Sequence, residues 1–500
     1  FLGVPVGRPL SVERQVTDRI ASMTSVVGTV LKWMHPQAAH TLLRTCINAR
    51  PQYLSRIIEV HHEWFFKALM GFDARINRAY AQLLHVGPTH VLGINGYPLN
   101  PDLHLDATLI DGPLAHIQLQ RGLPFSLGGG GTPVHSCLAA LSQDASRALA
   151  TSFLQTHELP RLLRIARSRT WNGDAIWDPL YRDCHLRAED ASTQNAPDRT
   201  DEDLREVPLR NDDATEQPPT VRGTTIRGKI NRMYKEVYKI LYSRLTTDHA
   251  KARLRSQACV GTGGVLAWMG GPDPRFLLAD GAFTHALRER FLLHPSYDAA
   301  AHIRECQCGV NVADMLEGHA WSCNKNAGLR TACHNAITDA LAAQLRKNTE
   351  GAQVEKSRQY ERRDAPGAWV ESDLEYVTPH ERISIDVSCV DPGSHTSRTL
   401  YNSANVTGAA AAARERVKHS HYQHALMQDG VHKLVPIVFE TTGRLGVEAM
   451  QFLDTVFPPT SQGYGKFLAH VSAIMARYGA RMVEASWGRM AGSSSAAAQY

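Results

Sequence analysis

The first part of the chain has the hydrophobic spacing of consecutive amphipathic helices. From residue 12 to about residue 95, apolar side chains recur three and four positions apart, the repeat of one buried helix face. Pro36, Pro51 and Pro101 separate the segments. We therefore predict an α-helical region over residues 1–185 with its own core. The positions that define the pattern, which we interpret mainly as packing residues, are Val16, Ile20, Met23, Val27, Val30, Leu42, Leu43, Ile47, Phe65, Leu69 and Met70.

Two segments near residue 380 alternate between apolar and polar side chains. Residues 370–377 and 382–389 each show the period of two expected of a half-buried β-strand. Residues 378–381 lie between them and have the composition of a turn. The pattern therefore predicts an antiparallel β-hairpin.

The register of this hairpin follows from its apolar positions. If the turn is centred between residues 379 and 380, apolar residues face each other across the strands, and Asp373 lies opposite Asp386 on the polar face. Cross-strand partners have Cβ atoms about 4.5–5.5 Å apart. The apolar pairs that fix this register are Leu374 with Ile385 and Tyr376 with Ile383.

Two carboxylates this close repel each other unless a cation lies between them. Oxygen ligands of this kind suit Mg²⁺, so the register predicts a divalent-metal site at Asp373 and Asp386. A following helix over residues 409–428 would carry Lys418 and Tyr422 on one face, where the lysine can orient an attacking water. These are the parts needed for metal-assisted phosphodiester hydrolysis. The alternative is that both aspartates are surface residues on an exposed sheet face.

A group of cysteines and one histidine indicates a second metal site. Cys306, Cys308, His319 and Cys323 have the spacing C-x-C-x10-H-x3-C, and three thiolates with one imidazole form a closed tetrahedral set typical of structural zinc. Gly309 lets the backbone turn around an ion. The alternative is that these are buried cysteines without a metal, and the spare ligand candidates are Cys333 and His334.

Charge changes sign in the middle of the chain. Residues 186–222 are acidic and proline-rich with few large apolar side chains, which predicts a disordered linker. Residues 223–300 form a basic helical region. Its lysines, arginines and interleaved tyrosines suit a nucleic-acid backbone, or alternatively the tyrosines pack inward and the basic side chains are only solvated. The candidate contacts are Arg227, Lys229, Arg232, Lys235 and Lys239, with Tyr234, Tyr238 and Tyr242 on one face.

Composition narrows the class of protein. The chain has 500 residues, a formal net charge of +5 and nine cysteines, which argues against a secreted disulfide scaffold. No apolar run has the length of a membrane span, and the residues that follow Phe1 argue against a secretory signal. The glycines at 128–131 are followed by Thr132 without a lysine, so we interpret them as a turn and not as a phosphate-binding loop. The start at Phe1 predicts a fragment of a longer protein.

In order along the chain, these features resemble the C-terminal part of a non-long-terminal-repeat retrotransposon polyprotein. The resemblance rests on the zinc cluster, then the paired acids, then Lys418-x-x-x-Tyr422. Weaker similarities are the opening residues 1–7, the segment 122–124 before the glycines and the segment 254–256. The subgroup concerned carries a restriction-enzyme-like endonuclease of the PD-(D/E)XK type.

The resemblance implies a role for each candidate residue. Asp373 and Asp386 would be the catalytic acids, Lys418 the catalytic lysine displaced onto the next helix, and the four Cys/His residues the ligands of a zinc knuckle. Ser372 and Ser388 depart from the family pattern. Accessory candidates are Glu355, Tyr422 and Glu440, and in a rival assignment Glu440 is the second acid.

The implied protein is multidomain. It has an α-helical N-terminal region, a small zinc knuckle and a C-terminal α/β restriction-endonuclease-like domain. Its activity would be Mg²⁺-dependent nicking of target DNA to prime reverse transcription in the nucleus, with DNA and retroelement RNA as partners. The resemblance also implies an upstream polymerase domain of the same polyprotein. The chain itself lacks a Tyr-x-Asp-Asp motif, so the polymerase palm is expected to be absent from it. The predicted segments are a thumb-like region at 1–185, a linker at 186–222, a basic region at 223–300, a knuckle at 301–335, a nuclease at 336–478 and a flexible tail at 479–500.

Two other functions fit the same residues. One is a catalytically inactive retroelement remnant that binds nucleic acid, and it predicts that Lys418 points away from the two aspartates. The other is a stand-alone repair or restriction nuclease, which a native methionine start would favour.

Overall fold

The structure is a computed structural model that combines many helices with one four-stranded sheet in the C-terminal half. Among the described residues, no helix is both long enough and apolar enough to cross a membrane. The predicted linker at 186–222 lies outside these residues. The structure describes residues 8–58, 62–84, 115–136, 138–139, 142, 226–259, 261–268, 273–293, 306–310, 318–348, 352–379, 381–393, 397–426, 432–457 and 463–487.

The chain forms two compact units. The first comprises residues 1–124, 130–198 and 215–244, and the second comprises residues 125–129, 199–214 and 245–500. The basic region predicted at 223–300 is therefore divided between the units. The predicted knuckle and the predicted nuclease segment belong to one compact unit.

Helices make up the described part of the first unit, as the sequence predicts. Pro36 and Pro51 each occupy the first turn of a helix, where the missing N–H costs nothing. The longest early helix buries Phe65, Leu69 and Ile76 along one face. The helices are α1 (Pro9–Met23), α2 (Val27–Trp33), α3 (Pro36–Leu42), continued by a π-helical turn at Leu43–Ile47, α4 (Pro51–Ile57), α5 (Glu63–Leu83), α6 (Ala115–Gly122) and α7 (Ile226–Arg244).

One buried carboxylate ties the helices of this unit together. Asp73 on α5 accepts hydrogen bonds from the backbone N–H groups of His135 and Ser136, at 3.1 and 2.8 Å, and from the Ser136 hydroxyl at 2.9 Å. The Arg121 guanidinium of α6 lies 3.7 Å from the same side chain. A buried charge with this many partners is fully compensated, so it orients the segment after the glycine turn against α5.

Buried histidine makes the first unit sensitive to acid. His40 of α3 is fully buried with its ring edge on Tyr80, and burial, helped by the nearby Arg44 charge, lowers the pKa of His40 to about 3. In the unfolded chain His40 binds a proton near pH 6.5, whereas in the folded chain it stays neutral down to about pH 3. The free energy of unfolding therefore has its full value above pH 6.5 and falls as the pH drops towards 3. The loss reaches several kcal/mol, since one pKa unit corresponds to about 1.4 kcal/mol.

The measurement is urea unfolding at pH 7.5, 5.5 and 4.5. We expect His40→Phe to flatten most of this dependence and His62→Gln, at an exposed histidine of the same unit, to leave it unchanged. Burial also lowers the pKa of His135, so part of the dependence persists in His40→Phe. An equally steep dependence in His40→Phe and the parent protein would contradict the assignment.

The second unit contains the sheet. Its strands are β1 (Gln353–Glu361), β2 (Trp369–Val377), β3 (Arg382–Val390) and β4 (His432–Glu440). They are arranged in the order β1-β2-β3-β4, in which β1, β2 and β3 are antiparallel neighbours and β4 runs parallel to β3. Pro436 lies in β4, which is an edge strand of this sheet and therefore tolerates a residue without an N–H.

The predicted hairpin and its register are confirmed. Leu374 pairs with Ile385 and Tyr376 pairs with Ile383 across β2 and β3. The pairing does not extend to Asp373, because the ladder between β2 and β3 ends at Leu374. On the other side of β2 the neighbouring residue in β1, Ser357, has φ +48° and also leaves the ladder. The strands therefore separate at Asp373, and this opening is where the candidate site lies.

Helices α12 (Ala327–Asn348), α14 (Ala409–Leu426) and α15 (Val447–Val456) pack on the sheet. Cys333 on α12 contacts Cys389 of β3, whereas Tyr422 on α14 contacts Asp386 of the same strand. Positions 386 and 389 lie on opposite faces of a strand, so α12 and α14 cover opposite faces of the sheet. The helices of the second unit are α8 (Asp248–Gln257), α9 (Gly264–Ala267), α10 (Asp280–Arg290), α11 (His319–Ser322), α12 (Ala327–Asn348), α13 (Ser397–Asn405), α14 (Ala409–Leu426), α15 (Val447–Val456) and α16 (Gly463–Trp487).

The flexible tail predicted at 479–500 requires a correction. Helix α16 continues to Trp487, and Met482, Val483 and Ser486 are buried within it. This helix packs along α12 and α10. Residues 488–500 lie outside the described residues.

Candidate active site and metal centre

The four predicted zinc ligands come together. The donor atoms of Cys306, Cys308, His319 and Cys323 all lie within 4.8 Å of one another. The Sγ atoms of Cys306 and Cys323 are 3.8 Å apart, and Cys308 Sγ lies 3.2 Å from His319 Nε2. A tetrahedral zinc with Zn–S bonds of about 2.3 Å would separate two thiolates by about 3.8 Å. The cluster is therefore suited to one metal ion, and its donor set is that of structural zinc.

Two glycines shape the backbone of this cluster. Gly309 has φ +86° and donates its N–H to Cys306 O at 2.8 Å, which closes the turn that brings the first two cysteines together. Gly318 has φ +114°, immediately before His319 at the start of α11. Residues with a Cβ rarely adopt this left-handed region, so both turns depend on glycine. The role predicted for Gly309 is confirmed.

The cluster is fastened to the end of α16. Gln307 N–H donates to Ser486 O at 3.2 Å, and the Asn326 side-chain amide donates to Met482 O at 3.1 Å and to Ser486 Oγ at 2.9 Å. Burial raises the pKa of the Cys306 thiol to about 11. A metal ion would therefore have to displace a proton from this thiol, and its binding energy would add to the folding of the segment.

The second predicted site centres on Asp386. Lys418 Nζ lies 2.6 Å from Asp386 Oδ1, and the Tyr422 hydroxyl donates to Asp386 Oδ2 at 2.7 Å. Lys418 and Tyr422 are four residues apart on α14, so they share one helix face over β3. The Asp386 side chain is 6% exposed and the Lys418 side chain 16% exposed. This is a nearly buried ion pair and not a solvated surface contact.

Asp373 is held from the opposite side. Its Oδ2 accepts the Val387 N–H at 2.7 Å, in the opening where β2 has left β3. His334 of α12 reaches the same opening, with Nε2 3.1 Å from Asp373 Oδ2 and 3.0 Å from Val387 O. Asp373 and His334 thus take the place of the missing backbone partners of Val387. His334 entered the sequence analysis only as a spare zinc ligand, because nothing in its spacing shows that α12 returns over the hairpin.

The charges of Asp373 and Asp386 change the pKa values of the neighbouring His334 and Tyr422. The hydrogen bond that the protonated His334 donates to Asp373 is the main cause that raises the pKa of His334 to about 9. Burial, followed by the charges of Asp386 and Asp373, raises the pKa of Tyr422 far above its usual value. Tyr422 therefore remains a neutral hydrogen-bond donor to Asp386. Both aspartates lie close enough to act on Tyr422.

The donor atoms do not form a compact carboxylate cluster. Across the described part of the chain, the only set of three or more His, Cys, Asp or Glu donors within 4.8 Å of one another is the Cys/His cluster. The predicted face-to-face pairing of Asp373 with Asp386 is modified, because the Asp373 carboxylate turns towards the backbone of β3. Oxygen donors at the opening are supplied by the two aspartates and by the carbonyl of Val387.

Two of the three accessory candidates lie elsewhere. Glu355 is exposed on β1 opposite Glu375, and it has no recorded contact with Asp373 or Asp386. Glu440 is buried beside Val390, four residues along the sheet from the position of Asp386, and its carboxylate accepts from Ser256 Oγ and from Ala411 N–H. The rival assignment of Glu440 as the second acid is therefore wrong.

Only Tyr422 among the accessory candidates joins the site. Besides Asp386, its hydroxyl is within hydrogen-bonding distance of Glu371 O on β2. The sequence analysis missed a further buried acid, Glu375, which is 1% exposed and accepts from Ser372 Oγ at 2.6 Å. Glu375 occupies a polar position of the alternating pattern, and this pattern predicts an exposed side chain there.

Basic and aromatic side chains of helix α7 differ in their burial. Tyr238 is buried and its ring stacks on Tyr242 at 6.4 Å, so at least this tyrosine packs inward. Lys239 forms an ion pair with Glu236 at 3.0 Å on the exposed face. Arg232 and Lys235 are half-buried, and the side chains of Arg227 and Lys229 lie outside the described residues. Nucleic-acid binding by this helix stays a prediction.

Comparison of the sequence with known proteins does not assign the chain to a family. No protein-family model matches the chain, and no curated protein matches its sequence. The function must therefore be argued from the two clusters themselves.

Proposed function

We propose that this chain is a metal-dependent endonuclease derived from a retrotransposon, which nicks target DNA to prime reverse transcription. The observation that carries the proposal is the buried ion pair of Lys418 with Asp386, next to Asp373 at the opening of the hairpin. A lysine paired with one carboxylate, and a second carboxylate on the adjoining strand, are the kinds of group that metal-assisted phosphodiester hydrolysis needs. The zinc cluster and α7 would contact nucleic acid.

The proposal includes a divalent cation held by oxygen donors. The candidate ligands are Asp373, Asp386 and the Val387 carbonyl; the two carboxylates would have to approach each other to share one ion, and Mg²⁺ is the cation that such oxygens suit. When bound, such an ion polarises a phosphate oxygen and lowers the pKa of a water molecule. The partial exposure of Asp373, with 24% of its side chain accessible, leaves a route for the ion and the phosphate.

The chain's own residues would then position the reactants. Tyr422 fixes the orientation of the Asp386 carboxylate through its hydroxyl. Lys418 neutralises Asp386 from α14 and would orient the attacking water or bind a phosphate oxygen once a cation takes over part of the Asp386 charge. Both side chains are held by one rigid helix, which keeps the distances between the reacting groups short.

The position of Lys418 favours an enzyme over an inactive remnant. The remnant hypothesis expects this lysine to point away from the aspartates, whereas it lies 2.6 Å from Asp386. The role in a retroelement is supported by the resemblance of the motifs and by their order along the chain.

Nicking of supercoiled plasmid tests the proposal. We expect Mg²⁺-dependent conversion to the open circle by the parent protein, none in excess chelator, and a loss of at least about 100-fold in Asp386→Asn. The matched control is Asp364→Asn, which removes an exposed carboxylate in the β1–β2 connection. Nicking by Asp386→Asn at the parent rate would reject the proposed site.

A further inference from the structure

One imidazole in the opening faces only hydrogen-bond acceptors. His334 Nε2 lies between Asp373 Oδ2, at 3.1 Å, and Val387 O, at 3.0 Å. Because β2 has left the ladder, the Val387 carbonyl receives no backbone N–H from that strand. A nitrogen directed at two oxygens needs a positive centre between them, which is either a proton or a metal ion.

The two distances from His334 Nε2 are compatible with a coordination site. In octahedral coordination with bonds of about 2.1 Å, neighbouring donor atoms are about 3.0 Å apart. The two distances from Nε2 have this value. The set consists of one imidazole, one carboxylate and one carbonyl, and further positions would be open to water or a phosphate.

The surroundings hold the imidazole in the orientation that a ligand requires. His334 Nδ1 lies 3.2 Å from Asn335 Oδ1, so an N–H at Nδ1 directs the lone pair of Nε2 into the opening. The helix that carries His334 is fixed against the sheet by Cys333, Ile337 and Leu341, all buried. With 31% of the His334 side chain exposed, an ion has access from solvent.

We propose that His334 is a ligand of the divalent cation, together with Asp373 and the carbonyl of Val387. The inference rests on the proposed nuclease function and adds the class of cation to it. An imidazole in the donor set favours first-row transition cations, with affinity rising from Mn²⁺ to Ni²⁺, over Mg²⁺, which prefers oxygen ligands alone.

Pulsed electron paramagnetic resonance with Mn²⁺ tests this directly on the zinc-loaded full chain. We expect the bound Mn²⁺ to show modulation from a directly coordinated ¹⁴N nucleus, and this signal to change to ¹⁵N when the histidines are ¹⁵N-labelled. His334→Gln should remove the signal and weaken Mn²⁺ binding by about 10-fold or more, with a much smaller change for Mg²⁺. His419→Gln is the matched control, since His419 is exposed on α14 and pairs with Glu448.

The alternative occupant, a proton, predicts the opposite results. The imidazole would then be a hydrogen-bond donor that a cation must displace, so His334→Gln would bind Mn²⁺ as tightly as the parent or more tightly, and no nitrogen modulation would appear. That result overturns the inference, while nicking that depends on Asp386 would leave the nuclease proposal intact. Absence of both Mn²⁺ binding and nicking in the parent protein would overturn both.

Discussion

Replacing Lys418 with methionine is expected to reduce plasmid nicking by about 100-fold or more, the range of a positioned proton-transfer or charge-stabilising group. Methionine keeps the length of the side chain and removes the ammonium group that contacts Asp386 at 2.6 Å. The rate of nicking under saturating Mg²⁺ is the measurement. Lys433→Met, at an exposed lysine of β4, is the control and should nick at the parent rate.

Lys418→Met also removes a stabilising ion pair, so its effect on stability must be measured separately from its effect on nicking. Removing one member of a nearly buried ion pair leaves the other charge uncompensated, at a cost of about 3 kcal/mol. We therefore expect Lys418→Met to lower the free energy of unfolding and Lys418→Met/Asp386→Asn to recover most of that loss. Neither variant should nick. The double variant also lacks Asp386, so it reports only on stability. Loss of nicking by Lys418→Met under conditions where it stays folded assigns Lys418 a role in the reaction, and full nicking by this variant would contradict that role.

The sequence carried enough information to place the hairpin but not its opening. Leu374 and Ile385 alternate with polar neighbours, so only one register buries both, and the structure has that register. The end of the ladder depends on the φ of +48° at Ser357 in β1 and on His334 arriving from α12. Neither feature can be predicted from hydrophobic periodicity. The first is the backbone angle of one residue, and the second is a contact between His334 and Val387, which are 53 positions apart in the sequence.

The errors at Glu440 and in the tail have different causes. Glu440 ends a buried apolar strand, and the sequence gives no indication that this strand runs parallel to β3 and aligns Glu440 with Val390. Serines and alanines at positions 493–498 favour a flexible tail, but Met482 and Val483 are buried in α16 and continue its apolar face. The second error was avoidable from hydrophobic spacing, whereas the first required the sheet topology.

Loss of zinc should affect the opening as well as the cluster that binds the ion. We expect the purified chain to contain about one zinc per chain, Cys323→Ser to contain none, and Cys46→Ser, at an exposed thiol of the first unit, to keep its zinc. Because the metal-binding energy contributes to folding, Cys323→Ser should melt at a lower temperature. Zinc is measured by metal analysis and melting by circular dichroism.

The reason for a second effect lies in the path of the chain. Cys323 is followed at once by the short turn Asn324–Asn326 and then by α12, and His334 lies about 10 Å along that helix at a rise of about 1.5 Å per residue. Asn326 also ties this turn to α16, so the start of α12 is fixed from two sides. Without the ion, one of these supports is lost, and His334 should hold Asp373 less firmly. We therefore expect Cys323→Ser to bind Mn²⁺ more weakly even at temperatures where the sheet remains folded. Unchanged Mn²⁺ affinity in a zinc-free, folded Cys323→Ser protein would show that the two metal sites act independently.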